Sequence, residues 1–97
     1  MSTTKPEFSS NEEFYAFVDL LRDNLAELGF SDAAGELNEI LHEIAWTTSS
    51  EIFGEIKRAL LKVKAEEGHR LPPCLLEDID VCLRAIELAW YRANRKA

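Results

Sequence analysis

The chain is predicted to be an all-α domain, an antiparallel up-down-up-down four-helix bundle, and three observations carry that expectation. Apolar residues recur at three- and four-residue steps in four separate stretches. The chain has only four glycines and three prolines, and most sit where those stretches should begin or end. The connections between stretches are short, which favours antiparallel neighbours. Helices are expected near 11–28, 32–46, 49–67 and 73–95, with residues 1–9 a flexible lead-in and residues 10–97 a single helical domain. A three-helix or irregular α-fold with the same helices is the alternative.

The first helix opens at Ser10-Asn11-Glu12-Glu13, a capping box in which the serine oxygen accepts from the third helical amide. Phe14, Phe17, Val18, Leu21, Leu25 and Leu28 form its apolar stripe. Gly29 suits a left-handed ending, and Phe30 is placed to pack back on Leu25. Ser31 is the expected cap of the second helix, with Asp32 in its first turn. Its stripe is Ala33, Ala34, Leu37, Ile40, Leu41 and Ile44. Thr48-Ser49-Ser50-Glu51 reads as another capping box, and Ile52, Phe53, Ile56, Ala59, Leu60 and Val63 line the third helix up to Gly68. Leu71-Pro72-Pro73 breaks the chain, and a proline near the first helical position suits a fourth helix. That helix carries Leu75, Leu76, Ile79, Cys82, Leu83, Ile86 and Trp90, with Arg92, Arg95 and Lys96 complementing its dipole.

A composition of 46% apolar and 30% charged residues is ordinary for a globular domain and argues against disorder. The start has no apolar signal region, and no stretch approaches the roughly 20 apolar residues that a bilayer span needs. Cys74 and Cys82 lie eight residues apart in one expected helix. That spacing puts them about 12 Å apart, too far for a disulfide, so both read as free thiols. The expectation is a cytoplasmic protein with no membrane association.

Charge is unevenly placed. The net charge is −7, and residues 1–51 hold eleven acidic residues against Lys5 and Arg22. Residues 52–97 hold nine basic and seven acidic. On the second helix Asp32, Glu36, Glu39 and Glu43 fall within a roughly 60° band, and on the first Glu12, Asp19, Asp23 and Glu27 gather away from the core. A polar face is what any surface helix requires. A face built only for solubility usually mixes signs, because like charges at i, i+4 cost roughly 0.2–0.5 kcal/mol per pair. The second helix contains no lysine or arginine. Such a surface would speed encounter with a basic partner and repel nucleic acid. Trp46 falls beside the acidic band, either as an interface anchor or folded over the turn onto the third helix.

The fourth helix has a second apolar line, Val81 and Leu88 with Tyr91 close by, while Gly54, Leu61 and Ala65 leave the main stripe of the third. These residues suit a homodimer contact or a second binding surface, against a background in which scattered exposed apolar side chains are common. Glu39-x-x-His42 and Glu66-x-x-His69 match one motif of dinuclear carboxylate bundles. Glu39 and His42 flank the outside of their helix, Gly68 interrupts the second pair, and the extra inward glutamates are missing, so no metal or cofactor is expected. Cys74 sits in a first helical turn, without a sequence-adjacent His or acid to make it a nucleophile. No phosphate-cradling glycine loop or basic aromatic patch is present, and the chain is expected not to be an enzyme.

In size, helical content and acidity, with an acidic amphipathic helix opening at Ser10, the chain resembles the bacterial immunity proteins that block a cognate toxin, often a cationic nuclease. The resemblance is one of character, without a residue signature, so no functional residues are transferred. It implies that an acidic helical face docks on a basic toxin and occludes its substrate. The residues expected at such an interface are Asp32, Glu36, Glu39, Glu43 and Trp46, with Asp23 and Glu27 beside them. The competing expectation is a homo-oligomeric adaptor or structural protein associating through Val81, Leu88 and Tyr91.

Overall fold

A computed structural model of the chain describes residues 8, 10–45 and 49–95, with side chains as far as Tyr91. The expected Thr48 cap, the position of Trp46 and the basic side chains at 92, 95 and 96 lie outside the described residues. The described residues form four α-helices and no strand: α1 (Asn11–Glu27), α2 (Ser31–Asn38), α3 (Ser49–Glu67) and α4 (Pro73–Arg95), with a π-turn over Glu39–Glu43 continuing α2.

Local chemistry sets most of the boundaries. Ser10 Oγ accepts from the Glu13 amide at 3.2 Å, satisfying one of the amides that a helix start leaves open. Phe8 stacks edge-on against Phe14 at 5.4 Å and tilts onto Phe17 at 5.5 Å, so an apolar residue just before the cap clips the entry to α1. At the other end Gly29 has φ +95°, its amide donates to the Ala26 carbonyl, and the Phe30 amide donates to the Leu25 carbonyl at 2.9 Å. This paired closure is a Schellman ending, and it needs a residue without a Cβ at Gly29. The Pro72 carbonyl accepts from Leu75 and Leu76, leaving Pro73 at the first helical position, where its missing N–H costs nothing.

The second helix departs from expectation. Instead of one helix over 32–46, regular α-structure stops at Asn38, the Ile44 amide reaches back five residues to the Glu39 carbonyl, and Ile44 itself is extended. Ser31 is the first residue of α2 rather than its cap; Phe30 holds the cap position and supplies no side-chain bond. The stripes shift accordingly. Leu28 and Ile44, both expected in the core, are exposed. Leu28 closes α1 where the chain swings into Gly29, and the wider π-turn delays the rotation that would have carried Ile44 inward.

Each helix packs on its neighbour in sequence, and α1 also meets α4. Asp19 meets His42 and Arg22 meets Asn38, so α2 and its π-turn run back along α1. Glu36 faces Lys62, and Phe30 lies under Arg70, which sets the same opposed direction for α2 and α3. A Cβ on Gly54 would lie 3.8 Å from Trp90, and Lys64 pairs with Asp80 at 2.7 Å, so α4 returns along α3. Gly54 therefore faces α4 instead of pointing away from the packed side.

The core is a single apolar cluster to which every α-helix contributes: Val18, Leu21 and Leu25, then Leu37, then Ile56 and Leu60, then Ile79, Cys82 and Ile86. Leu71, in the turn before α4, is also buried, held by its amide bonding to the Glu67 carbonyl at 3.1 Å. Among the described residues no charged or polar side chain is buried.

Candidate functional site

The acidic residues of α1 and α2 divide into two groups because their helices have different neighbours. The first group lies between α1 and the π-turn. Arg22 Nη1 donates to Asp19 Oδ1 at 2.8 Å and to Asn38 Oδ1 at 2.9 Å, while Nη2 donates to Asp23 Oδ1 at 2.9 Å. Asn38 Nδ2 in turn donates to Glu43 Oε2 at 3.0 Å, and His42 Nε2 is hydrogen-bonded to Asp19 Oδ1 at 2.8 Å. Residues five apart do not face each other on an α-helix, so the π-turn is what lets Asn38 reach Glu43. One arginine thus gathers Asp19 and Asp23 directly and Glu43 through Asn38. The sequence shows that α2 has no cation but not that α1 supplies one, because the i, i+3 spacing of Asp19 and Arg22 does not reveal that Asn38 packs beside them.

The second group lies between the start of α2 and the last turns of α3. Asp32 and Glu36 line a groove of about 320 Å³ together with Phe30, Ala33, Ala59, Lys62, Val63, Glu66, Glu67 and Arg70. Lys62 stands 3.9 Å from Glu36, Arg70 is 2.8 Å from Glu67, and the Arg70 guanidinium lies 5.3 Å over the Phe30 ring. Asp32 and Glu66 have no ion pair or hydrogen bond among the described residues. The α3 residues of the groove, Ala59, Lys62, Val63, Glu66 and Glu67, are not singled out together by the sequence pattern. Their alignment with Asp32 depends on how α2 crosses α3.

Glu27 and Glu39 belong to neither group; both are exposed without a partner among the described residues. The wheel placed Asp32, Glu36, Glu39 and Glu43 on one continuous band. In the fold Asp32 and Glu36 border the groove with α3, Glu39 is exposed, and Glu43 is linked through Asn38 to Arg22 of α1. Trp46, the expected aromatic anchor, lies outside the described residues.

On α4, Val81 and Leu88 are half-buried and Tyr91 is 58% exposed. Leu61 is exposed, and Trp90 is half-buried over Gly54, with the Lys57 ammonium 5.0 Å from its ring centre. Leu20, on the outer side of α1, is a further exposed apolar residue that lies off the apolar stripe.

The metal-like spacings do not assemble. His42 is hydrogen-bonded to Asp19, and His69 lies beyond the end of α3, whose last residue is Glu67. Among the described residues no three His, Cys, Asp or Glu side chains converge on a common point. Cys74 is exposed and Cys82 buried, both as free thiols; burial, helped by the charge of Asp78, pushes the Cys82 thiol up to about 12. At that value Cys82 stays protonated and unreactive. Among the described residues no helix is long and apolar enough to cross a membrane.

In comparisons with known protein families, curated proteins and solved structures, the chain matches none of them.

Proposed function

We propose that this chain is a non-enzymatic protein-binding module that neutralises a basic protein partner, in the manner of an immunity protein holding its toxin. The observation that carries the reading is the charge of the α1–α2 hairpin: residues 10–45 contain nine carboxylates and one arginine. Arg22 is already committed to Asp19, Asp23 and Asn38, so the hairpin has no further guanidinium or ammonium of its own for Glu27, Asp32 or Glu39. Exposed ion pairs contribute little to stability, about 0–1 kcal/mol, so leaving carboxylates unmatched costs the fold little and leaves a surface field for association. Such a field raises the association rate and makes binding sensitive to salt. Action in the cytoplasm fits the exposed free thiol of Cys74.

The test is a graded-salt pull-down with two baits, the unaltered chain and a Glu27→Lys/Glu39→Lys variant. Both positions are exposed and make no internal pair, so the variant should melt like the parent. The expected result is a basic protein retained by the parent at low salt, released at high salt and missed by the variant. Equal capture by both baits overturns the acidic-face mechanism.

A second reading, self-association through α3 and α4, is favoured by the exposed apolar residues Leu61 on α3 and Tyr91 on α4. Light scattering separates it from the first: a concentration-dependent dimer lost on Tyr91→Glu would support it, and a monomer would remove it.

A further inference from the structure

We propose that the groove between the start of α2 and the end of α3 is a socket for an arginine side chain presented by the basic partner. The inference rests on the protein-binding reading above and assigns one point of contact within it. The groove has an apolar floor in Ala33, Ala59 and Val63, suited to the methylene stem of a long side chain. Its walls carry Asp32, Glu36, Glu66 and Glu67 against Lys62 and Arg70, an excess of two carboxylates.

The two resident cations do not use up the acids. Arg70 is taken by Glu67 at 2.8 Å and lies over Phe30, while Lys62 stands beside Glu36 at 3.9 Å. Asp32 and Glu66, one on each wall, remain without a partner among the described residues. The competing occupant is an anion, because the free amides at the α2 N-terminus open onto the same space and Phe30 gives no capping bond. That helix end is worth only about half a positive charge, and α2 has just eight residues. Two surplus carboxylates exceed it. The carbonyl end of α3 borders the groove as well and adds to the preference for a cation. Arginine is favoured over lysine because its planar guanidinium keeps its charge and offers five donors to carboxylates.

The experiment is an NMR titration of the full chain with N-acetyl-arginine amide, run beside N-acetyl-citrulline amide as the uncharged isostere and inorganic phosphate as the anion. The expected result is saturable shifts of the Ser31, Ala33 and Val63 amides with the arginine compound, absent with citrulline. In Asp32→Asn/Glu66→Gln, a pair of near-isosteric changes at surface positions, the apparent affinity should fall at least about tenfold. The parent melting temperature serves as the folding control. Shifts spread evenly over Glu12, Glu27 and Glu39 would mean non-specific attraction and overturn the socket, as would shifts with phosphate in place of arginine or an unchanged affinity in the double variant. Loss of the pull-down in Glu27→Lys/Glu39→Lys with no arginine effect would overturn the socket while leaving the protein-binding reading intact. An arginine effect without any basic partner captured would do the reverse.

Discussion

Asp78 sits on α4 one position before Ile79, which is fully buried, and its carboxyl is half-buried beside the core. Burial, then the charge of neighbouring Glu77, raises its pKa above the ordinary 3.8. A carboxyl whose folded value is raised holds its proton more tightly in the folded state than in the unfolded one. Its charged form therefore destabilises the fold at neutral pH, and the penalty fades as pH falls through the raised folded value, vanishing below 3.8. Asp78→Asn should accordingly raise the melting temperature at pH 7 and leave it unchanged at pH 3. The gain should stay below about 1 kcal/mol because the group remains largely solvated. Thermal melts at the two pH values decide it, and a loss of stability at neutral pH would show that Asp78 makes a contact its environment does not reveal. Cys82, one turn further along, shows the same physics more strongly: fully buried, its thiol is pushed up to about 12 and stays protonated at neutral pH.

Among the elements, the turn from α1 to α2 is the most narrowly specified. Gly29 holds φ +95° with two amide bonds closing across it, and a Cβ there would meet nothing within 4 Å. The cost of Gly29→Ala is thus backbone strain alone, of about 1–2 kcal/mol. A chemical-denaturation midpoint shifted by that amount would support this, and a neutral outcome would show that the turn relaxes to another closure. The π-turn shows the opposite kind of control. Nothing in Glu39-Ile40-Leu41-His42-Glu43 disfavours an α-helix by propensity. It widens where the Asn38 amide bonds Glu43 and Asp19 holds His42, so its geometry goes with contacts to α1.

At the scale of the whole molecule, stability rests on apolar packing, since among the described residues no polar side chain is buried. Leu60 is fully buried and sits with Ile56 on the inner face of α3. Leu60→Ala should cost about 2–5 kcal/mol. Against a total of about 5–15 kcal/mol for a domain, that is a large share. Because the four helices share one core, their loss should be a single cooperative transition in far-UV circular dichroism. A biphasic melt would show instead that the α1–α2 and α3–α4 hairpins unfold separately. The same molecule keeps its charges outside and unequal, acidic on the first hairpin and mixed on the second. Stability and the proposed partner attraction would therefore be carried by different residues, and charge reversals at Glu27 and Glu39 probe the second without the first.

What the sequence determined by itself was whatever depends on neighbours along the chain. The all-α class, the ends of α1 and the start of α4, and the stripes of α1, α3 and α4 follow from spacing and capping that act within a few residues. Seventeen of the eighteen buried core residues fall on stripes read from periodicity; Leu71 and Leu28 mark failures, one buried and one exposed at helix ends where periodicity no longer applies. The acidic character of the first half was equally plain. Tertiary structure decided how that acid is distributed. Arg22 drew Asp19, Asp23 and Glu43 into one network, the packing of α2 on α3 brought Asp32 and Glu66 to one groove, and the π-turn turned Ile44 outward. Each of these outcomes needs residues from two helices at a fixed distance, and helical periodicity specifies which face a side chain takes but not what stands across from it.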